Sequence, residues 1–200
     1  TVYLLENHDF FSRDEIYGTR DGAYPDNHLR FAFFGAAVFE LIGAFNLDVD
    51  VIHCHDWQAG LVPLFNRIRQ GNRFRTVMTV HNMGYQGVFP GYVTPELGIP
   101  WEVYTAEGVE FWGQVSFLKA GLFFSDGATT VSPTYAREVL TPETGYGMDG
   151  ILRLLGPRFS GILNGVDYTQ WSPEADAMIP ASFSREDMSG KEENRLALLD

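Results

Sequence analysis

The residues with the most chemistry in them fall at the ends of short apolar runs. His53-Cys54-His55-Asp56-Trp57-Gln58 closes the run over 49–54, His81-Asn82 follows 76–80, and Asn164-Gly165-Val166-Asp167 follows 160–163. If these runs are parallel strands, their polar tips share one rim, because ligands of open α/β sheets bind beyond the carboxyl ends of the strands. Asp accepts hydrogen bonds, Asn donates and accepts, and neutral His does either, which suits sugar hydroxyls or phosphate esters. Trp57 and Tyr85 add apolar ring faces. Taken singly, each polar tip would serve equally well as a helix cap, and each ring as core.

Two other chemistries compete for the same residues. His53, His55, Asp56 and His81 are all of types that bind zinc. The spacing argues against a metal: one of His53 and His55 is expected on the opposite face of its strand, and no histidine follows Asp56. A nucleophilic hydrolase would need a Gly-x-Ser-x-Gly elbow, which the sequence lacks, and Cys54 sits inside a run that reads as buried. No Gly-x-Gly-x-x-Gly or Walker-type loop is found, so no nicotinamide or ATP cofactor is expected.

Composition narrows the partners. The chain of 200 residues is 45% hydrophobic and 20% charged, a globular profile, with 14 Lys and Arg against 26 Asp and Glu for a formal charge of −12. So acidic a surface disfavours nucleic acid and anionic membranes, whose phosphates are bound by Lys and Arg. The basic group Arg67, Arg69, Arg73 and Arg75 reads as a solvated helix end. The longest apolar stretch, 31–45, includes Glu40 and is shorter than the ~20 residues of a spanning helix. A single cysteine excludes an intrachain disulfide and suits an intracellular chain.

The elements that must position the tips alternate between strand and helix. Strands are expected at 2–5, 49–54, 76–80, 128–131 and 160–163, where β-branched residues recur in runs too short for helices. Helices are expected at 30–45, 57–70 and 115–124, with another starting at Ser132-Pro133, a good cap and first turn. This alternation implies an α/β, Rossmann-like, doubly wound parallel sheet covered on both faces. Residues 173–190 read as a linker or an ordered surface loop before a last helix. The absence of an initiator Met and the helical run at 196–200 suggest a piece of a larger protein.

In this order the motifs resemble the bacterial glycogen synthase and plant starch synthase family. The resemblance is carried by Asn7-His8-Asp9-Phe10-Phe11, Ile16-Tyr17-Gly18, Asp26-Asn27 with Arg30-Phe31, His53 to Leu61, Thr79-Val80-His81-Asn82-Met83-Gly84-Tyr85-Gln86-Gly87, Lys119-Ala120-Gly121, Thr130 to Ala136, Gly161 to Asp167, and Trp171-Ser172-Pro173. It implies a retaining GT-B glucosyltransferase of two Rossmann domains. Residues 1–172 would form most of the acceptor-side domain, and 173–200 a linker and the start of a helix toward the second. The implied partners are ADP-glucose and an α-1,4-glucan, with no cofactor. Asp56 and His81 would be catalytic, while Asn164 would bind donor hydroxyls. Trp57, Gln58, Asn82, Tyr85 and Tyr24 would line acceptor subsites. The implied location is the cytoplasm for a bacterial member and the plastid for a plant one. A sucrose-synthase-like transferase and a non-catalytic glucan-binding module are the alternative readings.

Overall fold

The computed structural model describes residues 1–199. In chain order the elements are α1 (His8–Phe11), β1 (Gly18–Thr19), β2 (Gly22–Ala23), α2 (Asn27–Ala44), β3 (Val51–His55), α3 (Leu61–Gln70), β4 (Arg75–Val80) and β5 (Val88–Pro90). They continue with β6 (Glu110–Phe111), β7 (Gln114–Ser116), α4 (Phe117–Phe124), β8 (Gly127–Thr130), α5 (Pro133–Glu138), α6 (Asp149–Leu155), β9 (Phe159–Gly161) and α7 (Ser189–Leu199). The chain forms two compact units, Thr1–Leu163 and a second that begins at Asn164.

The first unit is an α/β, Rossmann-like domain around a parallel sheet of order β3-β4-β8-β9. One row of residues across the sheet anchors the core. Cys54 pairs with Met78, and Met78 with Ala128, and all three are at most 2% exposed. The α4 helix lies close over this face. A Cβ on Gly121 would approach Met78 Sδ to 2.9 Å, and one on Gly60 would come within 2.1 Å of Phe117 O. Only glycine allows the turn before α3 to approach α4 this closely.

The opposite face is exposed along the edge strands β3 and β9. Val51 is 51% exposed, and His53, His55 and Ser160 are exposed as well. The strands follow one another in sequence order across the sheet. Right-handed crossovers between strands placed in that order all fall on the same side. Toward the middle of the sheet the same face is more covered: Thr79 is buried and bonds His53 and Thr129.

Some expectations shift for local reasons. Residues 2–5 form no strand, and Val2 and Leu4 are 84% and 90% exposed. No neighbouring strand pairs with their backbone, and an unpaired strand has no ladder to stabilise it. The run at 57–70 splits at Gly60 into a 3₁₀ turn (Trp57–Ala59) and α3. The apolar run at 115–124 begins as strand: Val115 pairs with Phe89, and Ser116 Oγ caps α4 by accepting from Lys119 N. Of the basic group, Arg69 stacks on the Phe65 ring at 3.8 Å and donates to Leu97 O. The antiparallel sheet β5-β7-β6 and the α6 helix had no clear pattern in the sequence.

In the second unit, Ala181 N donates to Asn194 Oδ1 at 3.0 Å and Asn194 Nδ2 donates to Ala181 O at 2.7 Å. This two-way bond folds the loop before α7 onto the helix. Residue 200, the last of the expected helical run, lies outside the described residues. Among the described residues, no helix is long and apolar enough to cross a membrane.

Asp126 ties the starts of β4 and β8 together. It accepts from Thr76 N at 2.8 Å and from Arg75 Nη1 at 2.7 Å. Burial pushes its carboxyl up, but the Thr76 and Arg75 hydrogen bonds prevail and hold it below the usual aspartate range. A depressed carboxylate stabilises the fold above the unfolded value near ~3.9, and that contribution is lost as pH falls through the folded value. Asp126→Asn is expected to melt at lower temperature than the native chain at pH 7. The gap should close as the pH is lowered below about 4; a gap of the same size at both pH values would contradict the ion-pair account.

Candidate active site

The site is built where β3 and β4 end side by side. His55 pairs with Thr79 in register, and the chain then turns at Asp56. Asp56 N donates to Thr79 O at 2.9 Å, and Asp56 Oδ1 accepts from His81 N at 2.8 Å. To make both bonds, Asp56 adopts φ 55° and ψ −176°. That region is essentially reserved for glycine, costs a side-chain residue about 1–3 kcal/mol, and is found mostly at functional sites.

Asp56, Trp57, Gln58, Asn82 and Tyr85 line one cleft of about 570 Å³, together with Tyr17, Ala23 and Asn27. That volume lies in the range of small-molecule sites. The expected residues divide within it. Tyr85 is 67% exposed and offers its ring to the cleft. Trp57 is only 9% exposed; its indole packs edge-on against Phe31 at 4.6 Å and within 6.4 Å of Phe117. Trp57 is thus mainly the floor that braces the cleft. Gly87 lies flat on that floor at φ +56°, where a Cβ would sit 2.4 Å from the indole.

The loop after β4 is held from behind. Gly87 O and Gln86 O accept from Phe117 N and Leu118 N, the free donors of the first turn of α4. Gly84 N donates to Asn82 Oδ1 at 2.9 Å, and Met83, fully buried, donates its N–H to Tyr135 Oη.

Tyr24 is not part of the cleft lining. Its ring is held between the Arg13 and Arg30 guanidinium groups at 4.6 and 5.1 Å, and its neighbour Ala23 reaches the cleft instead. Tyr17 is the tyrosine that this loop delivers, with its hydroxyl accepting from Gln58 Nε2 at 2.8 Å. Sequence reasoning did not give Tyr17 or Asn27 a role in the site. The available signal was Asn27 and Arg30 one helical turn apart: Arg30 donates to Asn27 Oδ1 at 2.6 Å, to Phe10 O and to Ile16 O, and Asn27 Nδ2 donates to Tyr17 O. Asn164 opens the second unit.

The histidines correct the strand-face expectation. Residues two apart on a strand point the same way, and the His53 and His55 rings lie 4.3 Å apart. His53 Nε2 bonds Thr79 Oγ1 at 2.6 Å, and His55 Nδ1 bonds His81 Nε2 at 3.0 Å. His81 thus meets Asp56 through its backbone and His55 through its ring. Burial first, then the neighbouring His53 and His81, holds His55 below the usual histidine range, although Asp56 opposes this. Cys54 is buried, which pushes its thiol up to about 12 and leaves it unreactive as a nucleophile.

A Rossmann-like sheet with a strained aspartate backbone and a cleft at its strand tips is the arrangement of open α/β proteins whose ligands lie beyond the carboxyl ends of the strands. Comparison with known proteins is more specific. Residues 1–154 match the starch synthase catalytic domain. A glycogen synthase of Thermodesulfovibrio yellowstonii is 45% identical over 203 residues, covering 99% of this chain and 41% of that protein. A glycogen synthase of Myxococcus xanthus is 48% identical, covering 95% and 41%. The catalytic domain of starch synthase IV from Arabidopsis thaliana, bound to ADP and acarbose, superposes with a TM-score of 0.76 at 34% identity, covering 94% of this chain and 39% of that one. The chain belongs to the starch synthase catalytic domain family. It spans about two fifths of the length of the relatives it matches.

The Asp56 geometry sets an order of stabilities. Glycine at 56 relieves the strain but gives up the bond to His81 N, worth about 1 kcal/mol. Alanine loses the bond and keeps the strain. Urea unfolding is expected to place Asp56→Gly close to the native chain and Asp56→Ala about 1–2 kcal/mol below Asp56→Gly. Equal stability of the two variants would show that the backbone at 56 is not strained.

Proposed function

We propose that the protein carrying this chain is a retaining glucosyltransferase that moves glucose from ADP-glucose to the non-reducing 4-hydroxyl of an α-1,4-glucan. In this reading residues 1–172 form most of the acceptor-side half of a GT-B enzyme, and residues 173–200 lead toward a second Rossmann domain. The observation that carries the reading is the cleft at the β3 and β4 tips. It combines a carboxylate, three amide side chains and two exposed tyrosine rings, in a family with an ADP- and acarbose-bound member. The bacterial relatives support the cytoplasm as its location.

The residues divide the work as follows. Asp56 Oδ1 is fixed by His81 N, while Oδ2 makes no hydrogen bond among the described residues; it is placed to receive a sugar hydroxyl beside the reacting carbon. Asn82 and Gln58 supply amide donors and acceptors for the acceptor sugar, and Tyr85 supplies a face. His81 faces the donor sugar and acts mainly in the transition state, stabilising the positive charge that develops at the anomeric carbon. In this reading retention follows from front-face attack. The departing phosphate takes the acceptor's proton as the new glycosidic bond forms. Asn164, in the second unit, contributes hydrogen bonds to donor hydroxyls.

Two outcomes test this. Because the donor has to be held from both halves of the enzyme, and positioning is worth several orders of magnitude in rate, the 200 residues alone should transfer no glucose from ADP-glucose to maltoheptaose. Turnover by the purified chain would overturn the two-domain reading. In the full-length enzyme, His81→Ala should lower kcat by about 10²–10³, the usual loss for one preorganised polar group. KM for donor and glucan should change little. A folded His81→Ala enzyme with native kcat would remove His81 from the reaction.

A further inference from the structure

Among the described residues, five that bear side chains have positive φ: Asn46, Asp56, Asn72, Trp112 and Tyr146. Asparagine tolerates this region, and Asp56 is accounted for by the site above. Bulky residues there are outliers. Trp112 at φ 53° and Tyr146 at φ 51° nevertheless adopt it, and each leaves its ring in solvent, 81% and 60% exposed. The two-residue β6–β7 turn itself requires positive φ at Trp112 and Gly113, so it is the exposure of both rings that points to a ligand.

The two rings lie beside the loop that carries Tyr85. Tyr85 lies on its rim. A Cβ on the neighbouring Gly84 would lie 3.9 Å from the Tyr146 ring, and Gln86 Nε2 holds Tyr146 O at 2.9 Å. One residue further on, a Cβ on Gly147 would lie 3.3 Å from Trp112 Nε1. Trp112 and Gly147 in turn border a second hollow of about 350 Å³. Lys119, 5% exposed, anchors the hairpin that presents Trp112: its ammonium donates to Ala106 O and Glu110 O. Glu110 Oε1 fixes the turn by accepting from Gly113 N at 2.7 Å.

We infer that Tyr146 and Trp112 form an outer track, continuous with Tyr85, along which the reducing-end side of a long α-1,4-glucan lies while its non-reducing end is in the cleft. The inference rests on the glucosyltransferase reading above. Sugar rings present apolar C–H faces and polar edges, and exposed Tyr and Trp match both, with an apolar body and a polar tip. A short acceptor ends within the cleft and does not reach the track.

The test is acceptor-length dependence in the full-length enzyme. With ADP-glucose as donor, the ratio of kcat/KM for maltoheptaose to that for maltotriose is compared across variants. Trp112→Ala and Tyr146→Ala should each lower this ratio about three- to tenfold, mostly through KM for maltoheptaose, the size of one lost aromatic contact. Trp112→Phe and Tyr146→Phe keep a ring and should retain most of the ratio. Both rings are exposed, so native circular dichroism is expected of all four variants. Unchanged ratios in the two alanine variants of an active enzyme would overturn the track and leave the transferase reading standing. If the native enzyme transfers glucose to neither acceptor, the transferase reading fails, and fluorescence then decides the track. Quenching by maltoheptaose that is lost in Trp112→Ala supports it; identical quenching in both proteins overturns it.

Discussion

The rest of the site depends on the crossing of two strand tips at Asp56. Its N–H is bound to Thr79 O and its carboxylate to His81 N, so one residue links the end of β3 to β4 by both backbone and side chain. Parallel pairing sets the register up to His55 and Thr79, and the Asp56 turn carries it two residues past the ladder. The cost is a backbone conformation suited to glycine. It holds because both ends are fixed: behind lies a strand pair with a buried face, and ahead lies Trp57, packed among aromatic rings.

From that crossing the order spreads outward through backbone groups that would otherwise lack partners. The first turn of α4 gives two free N–H groups to the carbonyls of Gln86 and Gly87, and Gly87 in turn rests on Trp57. On the other side of the cleft, Arg30 is 3% exposed and bonds to two loop carbonyls and Asn27 rather than to a carboxylate. Burial lowers its guanidinium from the usual arginine value. A buried cation satisfied by carbonyls fixes the path of a loop with almost no regular structure of its own, and so delivers Tyr17 to the rim.

The parallel strands and the helices between them were legible, because β-branched runs of strand length alternate with apolar segments of helix length. The rim position of Asp56, Gln58 and Asn82 followed from strand direction, and that of Tyr85 from the resemblance. What the sequence did not convey depended on partners distant in the chain. Residues 2–5 have strand-like composition but no neighbour to pair with. The hairpin β6–β7 is only a few residues per strand, and its signal lies in a Trp-Gly turn rather than in periodicity. Tyr24 and Tyr17 are indistinguishable by type and local context; the two arginines that clamp Tyr24 decide which of them reaches the cleft.

The central claim is that the β3 and β4 tips hold the reacting sugars. The most direct measurement is a crystal structure of the full-length enzyme with ADP and a maltooligosaccharide. The account predicts a glucosyl unit within hydrogen-bonding distance of the Asp56 carboxylate, with an acceptor ring against Tyr85 and the nucleotide approaching from the second domain. An oligosaccharide bound elsewhere, with the 570 Å³ cleft filled only by water, would contradict it.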